Sequence, residues 1–386
     1  MKLSVRVLAA SVLALSAVFG FQLTRSGAAR SADAVVPSIT FGPEIAVPID
    51  GVRFAPDGET SFLRQADGTY RGWIAGALKG RHGGAIEFHA NALPAPLNLE
   101  RDSPVLGPRA DDTSSFDASY AAPGSVLADP TIAGTLYMLY EGESSFFDGR
   151  RQPGTWATIG LATSTDDGRS WSRVNPATGI LSSHDPKPAT STGRGLRGNA
   201  VPSGIIADGY MYAFFAYYGD GPGGGQIQEA RASLRDLGHW QKLAANTFSA
   251  AGLGGNGDPI LPRATGAGAH CLAGNRQPGV SYNSYLHAYL LSMICQYGGG
   301  GEPPGPRWAF ATSSDLLHWA APTAAAEPVP EMGDGERIRF GWHPTLMSPG
   351  ETSQQTTGRT GYVYYAKGVV TAPKTSYYRA FTIATP

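Results

Sequence analysis

One pattern recurs five times along the chain and limits what it can fold into. A Pro or small residue is followed by Ser or Thr, about four apolar positions, a turn bearing Asp or Gly, and an aromatic-rich stretch. The best-matched copies begin at Ala122-Pro123-Gly124-Ser125-Val126-Leu127-Ala128-Asp129 and at Val201-Pro202-Ser203-Gly204-Ile205-Ile206-Ala207-Asp208. Leu136-Tyr137-Met138-Leu139-Tyr140 follows the first, and Tyr210-Met211-Tyr212 the second. Weaker copies begin at Glu59-Thr60-Ser61-Phe62-Leu63, at Gln277-Pro278-Gly279-Val280-Ser281 and at His343-Pro344-Thr345-Leu346-Met347. Pro56, Pro123, Pro202, Pro278 and Pro344 are separated by 67, 79, 76 and 66 residues. Units of this length that cannot bury an apolar face alone must stack on their neighbours. The spacing predicts an all-β chain folded as a five-bladed β-propeller of four-stranded antiparallel blades.

Composition agrees with many short strands joined by turns. Of 386 residues, 51 are Gly and 29 Pro, 42% are hydrophobic, and only 16% are charged. That excludes disorder, collagen and long coiled coils while leaving enough apolar surface for a large core. A net charge of −1 argues against a nucleic-acid partner. In three units a further strand runs into a turn closed by Trp, at Leu161 to Trp171, Ala232 to Trp240 and Ala311 to Trp319. The helical spacing of Ile227, Ala230, Leu234, Leu237 and Trp240 offers an amphipathic helix as a rival for Gln226 to Leu243. The match to the other Trp turns favours strands.

Ser164-Thr165-Asp166-Asp167-Gly168-Arg169-Ser170-Trp171 resembles the Asp-box of sialidases and related propellers, and the other two Trp turns resemble its degenerate forms in five-bladed glycosidases. An Asp there ties the turn through backbone N–H groups, and the Trp fills the gap between sheets. From about Gly42 to Thr385 the chain is similar to five-bladed glycoside hydrolases of the arabinanase and xylosidase type. The resemblance implies carboxyl groups around a funnel at one mouth of the ring, because glycoside cleavage needs an acid for the leaving oxygen and a second carboxylate for water or carbon.

Residues just before each inner strand would ring that mouth: Asp50, Arg53, Asp57 and Glu59, then Asp117, Arg197 and Asn199, Asn275 and Arg276, and Trp342 and His343. Second-strand ends add Glu141, Glu143, Tyr218 and Asp220. The resemblance assigns Asp50 or Asp57 as base and Asp117 as the residue that tunes or orients the acid. It expects a Glu in the third unit, where Gly198-Asn199-Ala200-Val201-Pro202 stands instead, so Glu141 and Glu59 are the substitute acids. Arg197, Asn199, Arg276, Trp342 and His343, with Glu59, are the substrate-binding candidates. His343 resembles a fifth-blade His near the channel axis, which leaves room for a channel cation such as Ca2+. No Cys/His metal spacing or nucleotide-binding fingerprint is present.

The leading expectation is a secreted, monomeric glycoside hydrolase with a carbohydrate partner. A non-catalytic carbohydrate-binding propeller stands beside it, as does a sialidase-like hydrolase using Arg53, Arg276 and Arg339. Lys2 and Arg6 precede an apolar run, Val7 to Phe21, and Ala32-Asp33-Ala34 is a small-x-small cleavage pattern. Residues 1–34 therefore read as a signal peptide, with 35–386 as one domain and no membrane span after cleavage. The mature segment carries 26 basic and 30 acidic residues, a net charge of −4. Cys271 and Cys295 are either bridged in an oxidising compartment or two buried thiols.

Overall fold

The computed structural model describes residues 37–47, 49, 52–54, 56–78, 83–94, 96–146, 154–187, 196–219, 225–261, 275–299, 302–324, 341–367 and 375–385. They form strands and turns with no helix, so the segment from Gln226 is strand rather than helix. After β1 (Ser38–Val47), a first sheet pairs β2 (Val52–Phe54) and β3 (Ser61–Arg64) with β4 (Tyr70–Leu78), followed by β5 (Gly83–Ala90) and β6 (Asn98–Leu99).

A nine-stranded sheet comes next and consists of two antiparallel runs. The first holds β7 (Tyr120–Ala128), β8 (Leu136–Phe146), β9 (Gly154–Ser164) and β10 (Ser172–Val174). The second holds β11 (Leu196–Ala207), β12 (Tyr210–Tyr218), β13 (Gln226–Ser233), β14 (Gln241–Ala244) and β15 (Thr247–Ala251). Parallel pairing of Leu196, Arg197 and Gly198 with Thr155, Trp156 and Ala157 joins the runs. The third sheet contains β16 (Asn275–Asn283), β17 (Ala288–Gly299), β18 (Glu302–Ser313) and β19 (Thr323–Ala324). Of the last four strands, β20 (Trp342–Met347), β21 (Thr356–Thr357), β22 (Thr360–Lys367) and β23 (Thr375–Ala384), β21 pairs in parallel with β16. The other three join β1 in the order β1-β23-β22-β20.

The repeat motif forms the first strand of each run. β7 and β11 are buried along most of their length, whereas β15 alternates exposed and half-buried residues at its edge. Such a gradient places the apolar runs inside and the alternating patterns outside. At each of four motif prolines the register slips, between Pro123 and Val126, Ala200 and Ser203, Arg276 and Gly279, and Trp342 and Thr345. Three residues preceding these prolines are left-handed: Val201 at φ 55°, Gln277 at 58° and His343 at 57°. For a β-branched residue such as Val201 that is a costly conformation, held by the surrounding structure.

Side-chain hydroxyls link the motif strands in cyclic order. Val126 N donates to Ser61 Oγ at 2.9 Å, Gly204 N to Ser125 Oγ at 2.7 Å, and Val280 N to Ser203 Oγ at 3.0 Å. Ser292 Oγ then donates to Pro344 O at 2.8 Å, and Thr60 N to Thr345 Oγ1 at 3.1 Å, returning to the first sheet. Strands approach so closely that a Cβ on Gly124 would lie 2.0 Å from Pro202 O.

The Trp turns share one bonding scheme. Asp166 Oδ1 accepts from Ser170 N at 2.9 Å, and Trp171 Nε1 donates to Gly168 O at 3.0 Å. Trp240 donates to Leu237 O and Trp319 to Leu316 O in the same manner. Trp171 meets Trp73 of the neighbouring sheet edge to face, with centroids 6.1 Å apart. Cys295, buried on β17, is disulfide-bonded; Cys271 lies outside the described residues.

Candidate active site

Three acidic side chains meet around one phenol where β7 begins and β8 ends. Antiparallel pairing sets Tyr120 opposite Glu143 and Ala122 opposite Glu141, so both acids come from the same end of β8. Asp57, just ahead of β3, receives Tyr120 OH at Oδ2 across 3.4 Å. His343 places Nε2 3.8 Å from Asp57 Oδ1, and its own N–H donates to Gln277 Oε1 at 2.9 Å. The phenol's proton affinity rises well above that of a free tyrosine, through burial first and then the charges of Asp57, Glu143 and Glu141.

Glu141 is the buried member, with 5% of its surface exposed. Val201 N, turned inward by the left-handed backbone ahead of Pro202, donates to its Oε2 at 2.7 Å. Burial raises its pKa well above the usual carboxyl range, and Glu143 and then Asp57 push it the same way against the opposing Val201 N–H. Asp57 is partly open to solvent, its side chain 26% exposed. A buried carboxyl of raised proton affinity beside a more accessible acidic side chain is the pairing that acid–base chemistry at a C–O bond uses.

Asp117 is placed differently from the other acids. Its side chain is buried and bonded to Arg173 Nε at 2.6 Å, Ser115 Oγ at 2.5 Å and Tyr140 OH at 3.2 Å. The Arg173 guanidinium also donates to Gly107 O and lies 5.9 Å from the Tyr140 ring centroid. Packing still connects this ion pair to the site, because a Cβ on Gly142 would fall 2.8 Å from Asp117 Cβ.

Glu59 lies further in than Asp57 along the same segment. Ser125 Oγ donates to it, Ser203 Oγ is 3.4 Å from Ser125 Oγ, and only 3% of Glu59 is exposed. Burial lifts its pKa to about 8 against these hydroxyl bonds. Asn199 is wholly buried on β11, and neither side-chain amide atom has a hydrogen-bond partner among the described residues. Arg197 sits on the same strand, opposite Trp156. Trp342 lies beside His343, with ring centroids 6.2 Å apart. Asp50, Asp220 and Arg339 lie outside the described residues, as do the side chains of Arg53, Asn275 and Arg276.

The structure thus brings together Asp57, Glu141, Glu143 and His343 from the sequence candidates and adds Tyr120. Only its cross-strand position opposite Glu143 marks Tyr120, a register that sequence spacing does not give. Among the described residues no group of three or more His, Cys, Asp or Glu side chains has the geometry to hold a metal ion. No helix there is long and apolar enough to cross a membrane.

The fold is that of known glycoside hydrolases. One glycoside hydrolase structure superposes with a TM-score of 0.56 at 14% identity, covering 91% of this chain and 93% of its own. The catalytic domain of a Coprinopsis cinerea family-62 α-L-arabinofuranosidase matches at 0.53 and 13% identity, covering 92% of this chain and 99% of that domain. An α-L-arabinofuranosidase from Podospora anserina, solved with cellotriose, matches at 0.51 and 12%, covering 90% and 97%. No protein-family model matches the chain, and no curated protein is similar to it in sequence.

Proposed function

We propose that the protein is a glycoside hydrolase built on a five-bladed ring, acting on a plant or microbial polysaccharide or oligosaccharide. The five motif strands, joined cyclically by hydroxyl bonds and sealed by the β1–β23 pairing, support the blade count. The cluster of Asp57, Glu141 and Glu143 around Tyr120 carries the catalytic reading. Glu141 is the general acid: its carboxyl proton passes to the glycosidic oxygen as the bond to the anomeric carbon breaks. Asp57 faces the opening as the partner carboxylate, as base toward water or nucleophile toward carbon. Tyr120 and His343 orient it.

The shared fold with two arabinofuranosidases makes arabinose-bearing polymers the first substrates to try. Release of reducing sugar from arabinoxylan, arabinan and xylan tests the proposal, beside Asp57→Asn and Glu141→Gln. Both variants should lose about 10²- to 10⁴-fold in turnover, the range of a single acid–base group. For Glu141→Gln the loss should shrink on an aryl glycoside whose leaving group needs no proton. Hydrolysis undiminished in both variants rejects the assignment.

A second reading, a non-catalytic carbohydrate-binding protein, draws on Asn199. A buried amide stands in the third unit where the resemblance expects a Glu, and β11 contributes no carboxyl there. Binding of the same polymers without turnover favours it. We propose export as well. The disulfide at Cys295 supports an oxidising destination, and N-terminal sequencing of the secreted protein tests cleavage after Ala34.

A further inference from the structure

At the end of the motif strands opposite the acidic cluster lies a cavity of about 400 Å³. Strand register fixes the separation: Tyr120 begins β7 at the acidic mouth, and Ala128, which lines the cavity, ends it. Eight residues of extended chain span about 25 Å. The loop between β20 and β22 contributes Thr352, Ser353, Gln355 and Thr356 to the cavity wall. Gln354 accepts from Phe62 N at 3.0 Å and donates to Ser61 Oγ at 3.3 Å and Val126 O at 3.2 Å. Gln355 accepts from Ile206 N at its side-chain oxygen, 3.0 Å, and from Tyr282 N at its carbonyl, 2.7 Å. These bonds tie the loop to β3, β7, β11 and β16, so the cavity has a built floor.

Ile205, Asp208, Tyr282, Tyr289 and Gln355 give the cavity its chemistry. Tyr282 is 36% exposed and is braced edge to face by Tyr289, with centroids 5.5 Å apart and planes at 72°. A braced, open aromatic ring presents a flat face to the apolar side of a sugar. Around it the Tyr282 hydroxyl, the Gln355 Nε2 and the Asp208 carboxylate form no hydrogen bond with any described residue. Donor, acceptor and hydroxyl together suit the vicinal hydroxyls of a ring. Among the described residues no Lys, Arg or His lines the cavity, and the Asp208 carboxylate there repels phosphate, sialic acid or any other anion.

We infer that this far-side cavity is a second carbohydrate site that holds an uncharged sugar unit and anchors polymer away from the acidic mouth. The choice of sugar rests on the glycoside hydrolase reading. The site itself rests on its own lining.

Calorimetric titration of the full-length protein with xylotriose and with arabinotriose tests the inference. It is run on Glu141→Gln and on Glu141→Gln carrying Tyr282→Ala, and in parallel on Tyr282→Ala and Tyr282→Phe alone. The expected result is a binding event that survives Glu141→Gln, weakens at least tenfold in Tyr282→Ala and persists in Tyr282→Phe. Tyr282→Ala alone should cleave a small aryl glycoside within twofold of the parent and degrade polymer several-fold more slowly. Identical isotherms with and without Tyr282→Ala overturn the inference, as does binding of inorganic phosphate in preference to either trisaccharide. If no substrate is hydrolysed by the parent, the proposed enzymatic function fails. Tyr282-dependent sugar binding still stands in that case as evidence for the site.

Discussion

Glu59 and Asp117 are two buried carboxyls in different company. Asp117 is surrounded by donors, Arg173 foremost, so its burial is compensated. Removing Arg173 leaves that charge without its counterpart in a dry site, which costs about 3 to 5 kcal/mol. Arg173→Ala should therefore lower the denaturation midpoint by a corresponding amount in urea titrations, with Asp117→Asn in the same background recovering part of the loss.

Among the described residues Glu59 has only hydroxyls for company, and burial raises its pKa from the ordinary 4.5 to about 8. Between those limits the folded chain binds a proton that the unfolded chain has released, so stability falls as pH rises from about 4.5 to about 8. Below that window the penalty is absent, and above it the penalty is complete. Glu59→Gln should flatten the dependence of Tm on pH, matching the parent near pH 4.5 and exceeding it at pH 8. Both carboxyls are visible as acidic residues next to repeat motifs. Their partners are not: Arg173 lies 56 residues from Asp117 and Ser125 lies 66 from Glu59, separations that carry no local signal.

At the scale of elements, the Pro motif is where the sequence speaks most clearly. A Pro within a strand lacks an N–H and demands a break in the ladder, and the bulges fall beside it at Pro123, Pro202, Pro278 and Pro344. The following Ser, Thr or Gly is equally explicable, as a hydroxyl for the next strand's amide or as the smallest residue at a crowded contact. Gly124→Ala would drive a methyl group against Pro202 O, where only backbone can yield. We expect a loss of about 1 to 3 kcal/mol, the usual range for overpacking, read from chemical denaturation.

The left-handed turn at Val201 is less legible, because β-branched residues give no hint of positive φ. Yet that turn supplies the N–H held by Glu141. Likewise, the loop bearing Gln354 and Gln355 has no periodicity to announce it, although four strands hang from it.

For the molecule as a whole, the cyclic order of the units follows from the spacing of the prolines, but the way the ends meet does not. β1 contains no repeat motif and reads as an ordinary edge strand, yet it completes the last sheet by pairing with β23 from Ser38 opposite Ala384 to Val47 opposite Ser376. A chain lacking residues 38–47 should leave β23 with an open edge and lose its cooperative thermal transition. Calorimetry on the truncated protein checks this, with a single sharp transition near the parent Tm as the result that contradicts it.

Pairing of β1 with β23 also makes the first and last described strands neighbours in space. The order in which the units are translated is then a convention rather than a structural necessity. A short linker from Ala384 to Ser38, with new ends cut at the exposed turn around Ile132, would give a circular permutant with every sheet contact intact. In the natural order the seal forms between segments more than 320 residues apart, whereas in the permutant it becomes a local hairpin. The permutant should therefore reach the same native state with a shorter final step in folding.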